Sequence, residues 1–259
     1  MINLLGHELF KLRKNRSLYI VLTLSLLLAF FMASMFASLA DGGLTGNQAL
    51  VLAGVATEVW IIMTAVVITS FVVAEYQKGQ IRNLVMSGHS RISIYLAKYI
   101  TALIVGLGLL TAVVLLITGV ATYVNGWNNP EVLFELSFLG FLSMYLQLAV
   151  LYAAIIAVIL FIADLTQSTA AAIGANIGLM LVFTLLASVG TYLAATGGAT
   201  EDPHIFNRVS ELYVGFLTTR IIDADLGTAK MVQYMCTALI TAILALVGGA
   251  LLFRRRDLK

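Results

Sequence analysis

The chain has 259 residues, 61% of them hydrophobic and only 11% charged, with a net charge of +2; a soluble domain is about half apolar and about a quarter charged. With a mean hydropathy of +1.00, this composition excludes an independent soluble catalytic domain and a nucleic-acid-binding module. Six apolar runs of roughly 20 residues or more, each able to cross a hydrocarbon layer about 30 Å thick, specify an all-α polytopic membrane protein.

Residues 1–17 precede the first run. On a helical wheel Ile2, Leu5, Leu9 and Leu12 form one stripe, opposite Asn3, His7, Lys11 and Lys14. That division predicts an interfacial helix with its apolar side in the membrane and its cations among the headgroups of membrane lipid. The spans are expected at about 18–40, 50–74, 94–123, 136–163, 169–195 and 231–253. Ser38-Leu39-Ala40 resembles a small-residue cleavage site, but the run before it is longer than a signal core, so the first span is read as retained. Cys236, the single cysteine, falls in the last span and reads as a small packing residue. Both prolines, Pro130 and Pro203, fall in connections.

Orientation follows from Lys and Arg. Lys11, Arg13, Lys14 and Arg16 precede span one; Lys78, Arg82, Arg91 and Lys98 cluster between spans two and three; Arg254, Arg255, Arg256 and Lys259 follow span six. The opposite side carries only Arg208, Arg220 and Lys230, against five acids in 196–230. Twelve cations against three, in alternation with six crossings, predict both termini in the cytoplasm.

Segment 196–230 is the longest outer connection. In it Ile205, Phe206, Val209, Leu212, Tyr213, Phe216 and Leu217 share one side of a wheel, opposite Asn207, Glu211, Gly215 and Thr218. The pattern predicts an amphipathic or partly re-entrant outer helix, and capping the bundle and gating a substrate are equally compatible with it. The inner segment 75–93 has a short amphipathic turn, Ile81, Leu84 and Val85, bracketed by Gly79 and Gly88. A docking helix for another protein and a solvated basic loop both fit this composition.

Within the spans, small residues recur every four positions: Ser25, Ala29, Ala33 and Ala37 in the first; Ala170, Gly174 and Gly178 in the fifth; Thr237, Thr241, Ala245 and Gly249 in the sixth. Such stripes serve close helix packing, within one chain more often than between chains. Glu58, about two turns into span two from outside, faces the bundle or a wet outer cavity, because a carboxylate at the bilayer centre costs about 3 kcal/mol. Asp164, in the turn between spans four and five, reads as a cap for the following helix. Gln147 and Asn176 read as interhelical hydrogen-bonding groups. Phe30, Phe31, Tyr145 and Phe183 suit an interior for amphipathic, largely apolar cargo.

The order of a basic amphipathic amino-terminal helix, six spans and the motifs Glu75-Tyr76-Gln77-Lys78-Gly79-Gln80-Ile81-Arg82-Asn83-Leu84, Gly88-His89-Ser90-Arg91 and Tyr95-Leu96-Ala97-Lys98 resembles a type 2 ATP-binding-cassette (ABC) permease subunit. The likeness extends over the whole chain in layout and is concentrated in residues 1–20 and 75–98. It is closest to small bacterial six-span permeases of antimicrobial-peptide, bacitracin-type or drug export and immunity. The resemblance implies that Glu75, Gly79, Arg82, Asn83, Gly88, Arg91 and Lys98 form or frame a coupling element in a cleft of a separate ATPase. It also implies an elbow helix at 1–17, outer helices near 205–221, a location in the bacterial plasma membrane, and a homodimer or heterodimer seamed by spans one and five. Ala29, Ala33, Ala37, Gly174, Asn176, Gly178 and Glu58 are the corresponding seam and substrate-path candidates.

No G-x-x-x-x-G-K-[ST] phosphate loop occurs in the sequence, so if transport is ATP-driven the motor is another polypeptide; the resemblance implies that ATP and Mg are used by that partner ATPase, with no cofactor bound by this chain. His7, His89 and His204 all lie outside the spans, which leaves no Ser–His pair for an intramembrane hydrolase and no His-rich metal site. A secondary transporter is the principal rival; it usually has broken spans and midplane ligands, whereas here no proline interrupts a span and Glu58 is the one deep charge. A T-V-G-Y-G filter is absent. Composition alone leaves open a structural membrane protein without cargo.

Overall fold

The computed structural model describes residues 2–38, 56–77, 79–127, 138–195 and 228–255, with isolated positions at 45, 46, 48, 49, 53, 214 and 217. The described residues form helices and turns with no strand. In chain order the helices are α1 (Ile2–Lys14), α2 (Arg16–Ser38), α3 (Thr57–Gln77), α4 (Gln80–Met86), α5 (Arg91–Asn125), α6 (Phe138–Thr166), α7 (Thr169–Ala195) and α8 (Thr228–Arg255). Six of them, α2, α3, α5, α6, α7 and α8, are long and apolar enough to span a membrane.

The spans are helical because the backbone has no other hydrogen-bond partner in lipid, and their side chains decide which faces meet. At the centre, Tyr152 of α6 donates to the Trp60 carbonyl of α3 (2.9 Å) and shares a 2.6 Å hydrogen bond with Thr64. Tyr99 of α5 donates to the Ala153 carbonyl of α6 (3.2 Å), and Thr111 pairs with Tyr145 at 2.6 Å. These bonds tie α3, α5 and α6 together. Helix α2 lies mainly against α5, α8 against α6, and α7 against α3 and α6. The outer faces of α2, α7 and α8 expose Leu27, Phe31, Leu181, Leu185, Ile243 and Leu244, as membrane helices do toward hydrocarbon.

Helix α5 has 35 residues, about 50 Å at 1.5 Å per residue, and so extends beyond a hydrocarbon layer. Its N-terminus is capped by Ser90, whose hydroxyl accepts from the Ser93 N–H at 3.2 Å. Helices α6 and α7 are joined by Gln167, at φ 51°, and Ser168, whose hydroxyl accepts from the Ala171 N–H at 3.5 Å.

Several expectations are corrected here. Helix α1 turns Leu4, Glu8 and Leu12 toward the protein and exposes Leu9, and Lys11, expected among the outward cations, is half-buried beside Glu8. Lys11 belongs to the inner side with Glu8 because a carboxylate far along the chain binds it, an attraction stronger than local apolar patterning. Asp164 does not cap α7; Ser168 occupies that place and Asp164 is buried elsewhere. Cys236 is exposed on α8 rather than packed. The outer amphipathic stretch lies outside the described residues apart from Val214 and Leu217, both helical and buried.

Candidate coupling site

Helix α4 has seven residues, too few to persist alone, and its neighbours hold it. Ile81 is buried, Leu84 and Val85 pack partly against the core, and Arg82, Asn83 and Met86 are exposed. This is the i, i+3, i+4 division of a helix seated on one face. Gly79 precedes it at φ 63° and Gly88 follows it at φ 85°. Left-handed backbone of this kind favours glycine, and it reverses the chain at both ends. The Ser87 N–H donates to the Asn83 carbonyl (3.0 Å) and the Gly88 N–H to the Val85 carbonyl (3.1 Å), which closes the last turn.

Behind α4 lies a buried polar knot. Glu75, at the end of α3 and 3% exposed, accepts from Lys98 of α5, which is 1% exposed. Glu75 also accepts from Lys11 of α1 at 3.2 Å. Lys11 in turn lies 3.7 Å from Glu8, which is wholly buried. Buried charges are tolerated when paired, and here two lysines meet two carboxylates. The adjacent Tyr76 hydroxyl donates to Asp164 of α6 at 2.5 Å. The rings of Tyr76 and Tyr95 both contact Phe253 of α8, at centroid separations of 6.4 and 6.1 Å. Arg91, at the start of α5, donates to the Arg254 carbonyl at 2.9 Å, the pairing of a cation with a helix C-terminus. Chain segments from α1, α3, α5, α6 and α8 thus converge around the root of α4.

The seven residues marked in the sequence therefore separate into two groups. Arg82, Asn83, Gly79 and Gly88 belong to the presented helix and its turns. Glu75, Lys98 and Arg91 are engaged within the protomer, Glu75 with Lys98 and Arg91 with the end of α8. Sequence reading missed Glu8, Tyr76, Tyr95 and Phe253. Tyr76 and Tyr95 fall within the motifs that carry the resemblance but had no role assigned, and Glu8, three residues before Lys11, was a local ion-pair signal.

The seam and path candidates are dispersed. Ala29, Ala33 and Ala37 are buried inside the protomer, on the helix that packs mainly against α5; the Asn125 amide of α5 donates to the Ala37 carbonyl at 3.0 Å. Within the chain this stripe therefore serves close helix packing, the commoner of the two uses expected for it. Gly174 is exposed and Gly178 half-buried, with open space where either would carry a side chain. Glu58 occupies the first turn of α3, not its third, because α3 begins at Thr57; an acid is favoured there by the helix dipole, and Thr184 of α7 donates to it at 3.2 Å. Asn176 donates to its own helix, at the Ala172 carbonyl (2.8 Å), rather than across helices. It borders a cavity of about 200 Å³ between α3, α6, α7 and α8, whose other walls include Ile61, Ile155, Leu179, Phe183 and Thr241.

The model of the ABC-2 family transporter proteins matches residues 4–199, from α1 through α7. The chain belongs to that family. No curated protein sequence matches it. As an ABC-2 family protein with six apolar helices, it is a multi-pass membrane permease of an ABC transporter, a transport component served by a separate ATPase subunit. In this ABC-2 permease the glycine-bounded helix, with Glu75 and Lys98 of the knot, comes from the segment that the resemblance marks for coupling, and the rest of the knot comes from α1, α6 and α8.

Proposed function

We propose that this permease works as a dimer, of two copies or of one copy with a similar chain, joined to two ATPase subunits that use ATP and Mg. Both termini and α4 face the cytoplasm of a bacterial cell. The dimer exports an amphipathic or hydrophobic substrate, such as an antimicrobial peptide, antibiotic, drug or lipid, from the cytoplasm or inner leaflet. The observation that carries this reading is α4 itself: a short helix on two left-handed glycines, with Arg82, Asn83 and Met86 outward and a charged knot behind it. An ATPase that closes on nucleotide would push the exposed face. The push would then reach α3 and α5 through Glu75 and Lys98, and α6 through Tyr76 and Asp164.

The apolar cavity beside Asn176 supports a largely apolar path. Its volume falls below the 300–1,000 Å³ of ligand pockets, so passage requires α7 and α8 to move or a second copy to complete the path. Coupling works only if cargo or nucleotide binds the two arrangements differently.

The test is reconstitution with an ABC ATPase subunit that co-purifies with the permease. Arg82→Glu is expected to abolish co-purification of the ATPase and its stimulation by cargo while leaving the permease folded, since Arg82 is exposed. Deletion of residues 80–87 is expected to do the same to stimulation. Stimulation that survives the deletion, or cargo movement down an ion gradient without nucleotide, overturns the proposal.

A further inference from the structure

A second site lies on the other side of the knot. Between α1, the start of α2 and the end of α3 the surface opens into a cleft of about 490 Å³, on the order of sixteen waters' worth of space. Lys14, Asn15 and Arg16 line one part of it, Phe10 and Phe71 another, and Gln80 at the root of α4 a third. The cleft therefore has a cationic lip and an apolar floor.

Its charge is not used up within the protein. Lys11 and Glu75 also border the cleft, but with Glu8 and Lys98 they make a neutral set of two cations and two anions. Lys14 and Arg16 are exposed and make no ion pair among the described residues. The Lys14 ammonium sits 4.6 Å from the centre of the Phe10 ring, and that ring is 60% exposed. Two uncompensated cations beside an uncovered aromatic ring ask for an anion attached to hydrocarbon.

We infer that this cleft binds an anionic phospholipid, its phosphate headgroup on Lys14 and Arg16 and its acyl end along Phe10 and Phe71. The surroundings favour lipid over an acidic protein surface: Leu9, Tyr19 and Ile20, on the same two helices α1 and α2, are all exposed, and such apolar surface needs a hydrocarbon phase. Because the same cleft touches Glu75 and Gln80, a lipid held there abuts the root of α4 and braces α1 against α3. The assignment is independent of what the permease carries.

The test is native mass spectrometry of the purified full-length chain, titrated with dioleoyl-phosphatidylglycerol, dioleoyl-phosphatidylcholine or soluble glycerol phosphate. The anionic lipid is expected to bind in preference to the zwitterionic one, and glycerol phosphate is expected not to displace it at equal concentration. The double variant K14Q/R16Q is expected to weaken phosphatidylglycerol roughly twenty-five-fold, from about five-fold for each cation near an anionic lipid surface. Arg13→Gln removes an exposed neighbouring cation outside the cleft and is expected to change binding less than two-fold. Should K14Q/R16Q unfold, the charge-conserving K14R/R16K is expected to bind as the parent does, and failure to do so overturns the proposal. Four other results overturn it: unchanged lipid binding in K14Q/R16Q, an equal loss in R13Q that marks diffuse surface charge, displacement by glycerol phosphate that marks a free-phosphate site, or loss of ATPase co-purification with lipid binding intact, which marks a protein interface.

Discussion

Lys11 reaches two carboxylates, one three residues before it and one 64 residues away, and the second ties α1 to the end of α3. Charges this deep are costly unless every partner is present, and removing one partner from a buried pair costs about 3–5 kcal/mol because the other is left uncompensated. Lys98→Met is accordingly expected to destabilise the permease by about 3 kcal/mol or more, measured by denaturant unfolding in detergent. The double variant E75M/K98M should recover most of that loss, because Lys11 still has Glu8 and no buried carboxylate is stranded. A double variant whose loss equals the sum of the two singles would show that Glu75 and Lys98 do not act as a pair. None of this was legible locally. The sequence marks Glu75 and Lys98 as charges near the ends of apolar runs, but their contact joins residues 23 positions apart, and the Tyr76–Asp164 bond spans 88.

Helices were far more legible than their facing. Composition alone marks the six long helices, since apolar content within a window is a local property. The small-residue stripe of α2 likewise marks a close-packing face, whereas the helix that covers it is a tertiary fact, and it proved to be α5. On α1 a wheel counted leucines and overlooked the pull of Glu75 on Lys11. For α4 the local signals were sufficient: a glycine on each side and apolar residues at 81, 84 and 85. Gly88→Ala is expected to destabilise the protein by about 1–2 kcal/mol, the cost of a left-handed backbone for a residue with a Cβ. Gly6→Ala tests the converse. Gly6 lies within α1 and nothing is within 4 Å of the place its Cβ would occupy, so the substitution should stabilise by roughly 0.5–1 kcal/mol. Thermal unfolding midpoints in detergent read both, and a Gly88→Ala variant as stable as the parent would mean that the turn adapts without strain.

At the scale of the molecule, α3 and α6 are the innermost spans, while α2, α7 and α8 turn apolar faces outward. An outward face in a membrane meets either lipid or another copy, and small residues favour the second because they let backbones approach. The two small-residue stripes on the proposed seam differ sharply in this respect. Ala33 is fully buried beneath its own chain, whereas Gly174 is exposed with open space before it. A dimer seam through span five can therefore use Gly174 and Gly178 directly, and a seam through span one must use the opposite face of α2, where Phe30, Phe31 and Leu27 are exposed. Cysteine cross-linking in membranes separates these faces. Cys236 is exposed on α8 and is first replaced by serine so that it contributes no background. In that C236S chain, Gly174→Cys and Phe31→Cys are expected to form oxidised dimers, and Ala33→Cys is expected to form none. Cross-linking through Ala33 with none through Gly174 would require α2 to leave α5 on assembly, and would overturn this division of the surface between packing and association.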